Sequence, residues 1–80
     1  MRSKEAVQLR ILELCEQHNM SVNALARHCG IRQSTLSNIV RGRNNSATIY
    51  TVARICRGLR ITISDFFSAE YFLDIEQEIY

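Results

Sequence analysis

The chain has no acidic residue between Arg27 and Arg60, no lysine or arginine after residue 60, no proline, and no apolar run approaching 18 residues. Without proline, low-complexity tracts or internal repeats, nothing marks a linker or a solenoid. Without a long apolar run there is no candidate membrane span, and no signal-peptide pattern opens the chain. Cys15, Cys29 and Cys56 cannot all pair within one chain, which sets aside a disulfide-stapled fold. A cytoplasmic protein with reduced thiols is expected. Chemistry is short of signals too: there is no glycine-rich phosphate loop, no paired carboxylates and no nucleophile beside a base. His28 adjoins Cys29, but neighbours on a helix point apart. Cys15 with His18, and His28 with Cys29, lack the spacing of a zinc finger. No catalytic residue, metal or cofactor is expected.

What remains is charge of one sign in one place. The formal net charge is +2, yet residues 1–63 hold all ten basic residues against three acids, and residues 64–80 hold five acids and no base. Nine of the ten basic residues are arginine, and seven lie in the acid-free stretch: Arg27, Arg32, Arg41, Arg43, Arg54, Arg57 and Arg60. Guanidinium forks bind phosphates and guanine edges bidentately. Such asymmetry points the basic part at nucleic acid and the acidic end away from it.

Eighty residues make one domain with a small core. Apolar spacing predicts five helices joined by short loops. The first spans about residues 4–18, with Val7, Ile11, Leu14 and Cys15 on its buried face and Asn19 at its end. The second starts at a Ser21 cap, stapled by Met20 and Leu25, and ends at Cys29 because Gly30 can turn left-handed. The third runs from about Gln33 to Val40 or Arg41 and stops at Gly42. The fourth begins with Thr48 as cap, places Ile49, Val52, Ala53 and Cys56 inward, and ends between Gly58 and Arg60. Residues 62–65 read as a capping box for the fifth helix, about 63–68, with Ile61 and Phe66 as its staple.

The second and third helices form a helix-turn-helix pattern. Ala26 is the small residue at their crossing and Gly30 makes the turn. Leu25, Cys29, Ile31, Leu36 and Ile39 face inward. That leaves Gln33, Ser34, Ser37 and Asn38 on the outer face of the third helix, where a recognition helix presents side chains to the major groove. Glutamine and asparagine pair with adenine, and serine accepts several bases. A positive field centred on this pattern points to double-stranded DNA as partner. Arg32, Arg41 and Arg43 flank the third helix, whereas Arg27, Arg54 and Arg57 read only as general field.

Residues 7–67 resemble the phage-repressor and Cro type of helix-turn-helix domain, the xenobiotic-response-element family. The residues that carry the likeness are Leu25, Ala26, Gly30, Gln33 to Ser37, Ile39 and Gly42, with residues 55–67 resembling the fourth helix, turn and fifth helix. The resemblance implies an all-α, five-helix lambda-repressor-like fold in residues 1–68, usually dimeric, followed by an acidic, aromatic tail, 69–80. It assigns base reading to Gln33, Ser34, Asn38 and, more weakly, Ser37. It assigns phosphate contacts to Ser21, Arg41, Arg43 and Thr48, and Arg32 and Thr35, at the start of the third helix, are expected to join them. Three features depart from the family pattern. Val22 stands where many members have a bracing glutamine. Cys15 and Val40 stand where many have a buried arginine–glutamate pair, and are expected to touch. Arg60 stands where a glycine usually turns.

The resemblance therefore implies a sequence-specific transcriptional regulator, more often a repressor, that binds a palindromic operator as a homodimer. With no second domain to hold one, no small-molecule effector is expected. Tyr71, Phe72, Leu73, Ile75, Ile79 and Tyr80 make the tail too apolar to be purely solvated. It either completes the core or joins two copies, and dimerisation is the favoured reading. The alternative function is an antitoxin-type interaction module whose tail binds another protein.

Overall fold

A computed structural model of the chain describes residues 2–43 and 48–74. Among these residues it is all helical: α1 (Ser3–Gln17), α2 (Val22–Cys29), α3 (Gln33–Val40), α4 (Ile49–Leu59) and α5 (Ile63–Phe66), then a 3-10 helix, Glu70–Asp74. None of the described helices is long and apolar enough to cross a membrane. Residues 44–47, between the third and fourth helices, and residues 75–80 of the tail lie outside the described residues.

Local chemistry sets the helix ends. Ser21 Oγ accepts from the Ala24 amide (3.0 Å), Thr48 Oγ1 from Thr51 (3.2 Å) and Thr62 Oγ1 from Asp65 (2.9 Å). The Asp65 carboxylate in turn accepts from the Thr62 amide at 3.2 Å, which closes the expected capping box. The C-termini of α1 to α4 share one solution, in which an amide beyond the helix reaches back to a carbonyl in the last turns. Met20 bonds the Cys15 carbonyl, Ile31 that of Ala26, Arg43 that of Asn38 and Ile61 that of Cys56. Each bond needs a left-handed residue just before it. Gly30 (φ 70°) and Gly42 (φ 69°) adopt this freely, whereas Asn19 (φ 53°) and Arg60 (φ 58°) do so against their side chains. At Arg60 the strain is about 1–2 kcal/mol.

Burial follows the predicted stripes with two corrections. Ile11, Leu14 and Cys15 of α1, Leu25, Ala26 and Cys29 of α2, and Leu36 and Ile39 of α3 form one core with Val52, Ile55, Cys56, Leu59 and Phe66. Val40 packs half-buried against the cluster that contains Cys15. The first correction is to α4, whose inner face is Thr51, Val52, Ile55, Cys56 and Leu59. Ile49 is 70% exposed and Ala53 is exposed, because the buried stripe is rotated around the helix onto Thr51, Val52, Ile55, Cys56 and Leu59. The second is at the end of the domain. α5 stops at Phe66, short of the expected Ser68. The chain then turns so that Tyr71 and Phe72 sit half-buried, and Phe72 packs against the core.

Arg10 makes that arrangement possible. Its spacing from Ala6 and Leu14 puts it on the buried face of α1, and it is 8% exposed. Nε donates to the Phe66 carbonyl (2.6 Å) and Nη2 to that of Asp65 (2.7 Å), satisfying the end of α5. Nη1 pairs with Glu13, whose carboxylate also accepts from the Tyr71 hydroxyl at 3.3 Å. Burial first, and then Glu13, push the Tyr71 phenol above its ordinary value. Arg10 and Glu13 thus join α1, the end of α5 and the 3-10 helix.

Cys15, Cys29 and Cys56 are free thiols in the core. Burial is the main cause raising all three above the ordinary thiol value, so thiolate is scarce near neutral pH. The folded protein is expected to react with Ellman's reagent far more slowly than the guanidinium-unfolded chain. Full titration of all the thiols at the unfolded rate would contradict this burial.

Candidate nucleic-acid interface

The turn between α2 and α3 is built from backbone packing and one long side chain. Arg54 reaches from α4 and donates from Nε to the Cys29 carbonyl and from Nη2 to that of Gly30, both at 3.2 Å. A Cβ on Gly30 would collide with that guanidinium. Gly30 therefore serves twice, as the left-handed residue and as the surface Arg54 lies on. Gly58, two residues before the turn position held by Arg60, is required by packing. A Cβ there would sit 2.5 Å from Cys29 Sγ and 3.1 Å from Cys29 Cα, so Gly58 lets the end of α2 cross α4 closely. The turn position itself is left to Arg60. His28 adds a ring-nitrogen hydrogen bond to the Gly58 carbonyl at 2.9 Å.

α3 is thereby held with Leu36 and Ile39 inward. At about 100° per residue, Gln33, Ser34, Ser37 and Asn38 share the opposite side. Gln33, Ser34 and Thr35 are exposed, whereas Ser37 and Asn38 are half-buried. The polar face is therefore most open at its N-terminal half. It carries no carboxylate.

Most of the residues expected to meet phosphate lie at the ends of α3 and at the starts of α2 and α4. Arg32 occupies the exposed cap position of α3, and Arg41 its exposed C-terminal end. Exposed Arg43 is anchored by its own amide on the Asn38 carbonyl (3.0 Å). Lys4 of α1 reaches the Gly42 carbonyl at 3.4 Å, bracing the same turn. Ser21 and Thr48 are exposed caps at the starts of α2 and α4. A helix N-terminus with its free amides suits an anion.

Two residues have roles that the linear pattern does not reveal. Arg54, general positive field by sequence, clamps the turn. Arg10 closes the end of α5. Its only sequence signal is its place in the Ala6, Arg10, Leu14 row, where a charge on an apolar stripe implies a buried partner. Among the described residues, no group of three or more histidine, cysteine or acidic side chains is placed to hold a metal.

Residues 10–70 match the family model of the Cro/C1-type HTH DNA-binding domain. Among solved structures, the prophage Lp1 protein 11 is 33% identical, with a TM-score of 0.78 over 90% of this chain and 96% of that one. An HTH_3 family transcriptional regulator from Vibrio cholerae is 30% identical, with a TM-score of 0.75 over 88% of this chain but 39% of that longer one. A point mutant of the restriction-modification controller protein C.Esp1396I is 26% identical, with a TM-score of 0.73 over 85% of this chain and 87% of that one. No curated protein matches the chain in sequence.

Proposed function

Because this chain belongs to the Cro/C1-type HTH DNA-binding domain family, we propose that it is a sequence-specific transcriptional regulator that represses by occupying its site. Occupancy alone blocks a promoter and asks for no second activity. The observation that carries the reading is the open, acid-free polar face of α3, ringed by Arg32, Arg41 and Arg43 and set by the Arg54 clamp. In this mechanism α3 lies in the major groove. Gln33 and Asn38 read adenine edges, and Ser34 and Ser37 supply shorter contacts. Ser21, Arg32, Thr35, Arg41, Arg43 and Thr48 hold backbone phosphates and fix the register. The reading includes no cofactor and no chemistry.

A binding selection from a random duplex library yields the preferred site. Gln33→Ala is then expected to cost about 1–3 kcal/mol on that site and little on random DNA. Arg43→Ala should weaken both and flatten the salt dependence by about one contact. Equal losses on cognate and random DNA for Gln33→Ala would sink the assignment of base reading.

The reading extends to a homodimer on a palindromic operator. Tyr71 and Phe72 turn into their own domain, but Leu73 is 87% exposed, Ile63 43% and Phe67 37%. These apolar side chains belong to α5 and the segment after it, beyond the last arginine of the chain. A second copy meeting this surface by two-fold symmetry would present two recognition helices to half-sites about one DNA turn apart. Light scattering after size exclusion is expected to give a dimer for the full chain and a weakened one for Phe67→Ala with Leu73→Ala. A monomer at high concentration for the full chain would remove the dimer from the proposal.

A further inference from the structure

A cleft of about 440 Å³ opens where the last turns of α2 and α4 meet. Arg27, His28, Arg54 and Arg57 wall it, with Gly30 and Gly58 in its lining, and no carboxylate lines it. Helix ends account for part of this charge. Arg27 and His28 lie in the last turn of α2, and Arg57 in that of α4. A helix C-terminus is equivalent to roughly half a negative charge, so two ends offset about one. Three guanidiniums exceed that by about two charges. Arg54 is engaged with the Cys29 and Gly30 carbonyls, and the His28 ring with the Gly58 carbonyl. The Arg27 and Arg57 side chains are exposed and, among the described residues, make no hydrogen bond or ion pair. Like charges gathered in one cleft repel, and an entering anion relieves that repulsion.

We propose that this cleft is a phosphate-binding site separate from the face of α3, with Arg27 and Arg57 holding the anion and the fixed Arg54 guanidinium as its wall. Planar forks with free donors suit phosphate oxygens. The group comes either from a DNA backbone flanking the recognised site or from a free phosphorylated molecule. Only the first source rests on the DNA-binding reading.

Nuclear magnetic resonance on the ¹⁵N-labelled full chain tests the site without DNA. Inorganic phosphate and pyrophosphate, added at constant ionic strength, are expected to shift the Gly30 and Gly58 amides saturably. A doubly substituted protein, Arg27→Gln with Arg57→Gln, should bind pyrophosphate about a hundredfold more weakly, two lost charge-assisted contacts at roughly tenfold each. Both side chains are exposed, so the fold should survive, and an unchanged spectrum elsewhere verifies it. No saturable shift in the wild type, or equal affinity in the double variant, overturns the site. The salt dependence of binding to random duplex then assigns the source. A slope shallower by about one in the double variant makes it a DNA phosphate, and an unchanged slope makes it a free one. Should the chain bind no DNA, the regulator reading falls while the phosphate titration still decides the cleft.

Discussion

Phe66→Ala is expected to cost about 3–5 kcal/mol, the range for emptying a fully buried aromatic site. Phe66 has no exposed surface and is one of the largest side chains in the core. Its ring meets Phe67 edge-on at 4.8 Å, and its carbonyl is one of the two that Arg10 holds. A domain of 80 residues holds roughly 4–12 kcal/mol in total, so one truncation here consumes a large share of it. Urea unfolding followed by circular dichroism would read the loss as a lowered midpoint at constant slope. Phe67→Ala is the control. Phe67 is partly exposed and meets Phe72 edge-on at 4.9 Å, so its removal should cost far less in the monomer. Equal losses for the two would mean that the buried ring is not what holds α5.

Arg10→Ala should be nearly as damaging, at about 3 kcal/mol. Two carbonyls at the end of α5 would lose a charged donor, each such bond contributing roughly 1.5–3 kcal/mol. Glu13 is 39% exposed, so its pairing with Arg10 is partly screened and adds less. Arg10→Met separates the parts, since it keeps an apolar stem and removes every donor. The methionine variant is expected to remain clearly destabilised and to loosen residues 70–74, measurable as faster amide exchange there. Wild-type stability in Arg10→Met would show that packing of the stem, not the hydrogen bonds, accounts for the residue's burial. The effect should not be confined to stability. Ile63, Phe67 and Leu73 are carried by the segment that Arg10 pins, so the proposed dimer should weaken in parallel.

Helix ends and the turn pattern can be read from the chain because their causes are local. Ser21 bonds three residues ahead, as do Thr48 and Thr62, and the left-handed turn at Gly30 needs only that residue's own backbone freedom. The inward residues of α2 and α3 follow from helical spacing alone. The outer face of α3 is legible in the same way, but the contrast between open Gln33 and half-buried Asn38 depends on neighbouring elements. Ile49 shows where periodicity falls short. An apolar residue on a stripe is buried only if something faces it, and at the start of α4 nothing among the described residues covers Ile49.

Local order in this chain, and the acid-free arginine stretch, are thus properties of neighbours within a few residues, which a linear pattern contains. The separate duties of those arginines are not. Arg54 meets carbonyls 24 and 25 residues away, and Arg10 meets carbonyls 55 and 56 residues away. Gly58 matters because Cys29 passes over it, and the chain after α5 divides into half-buried Tyr71 and Phe72 and exposed Leu73. Charge and polarity along the chain identify a partner class. Which guanidinium clamps a turn, which closes a helix and which is left free for an anion depends on the carbonyls that packing brings within reach.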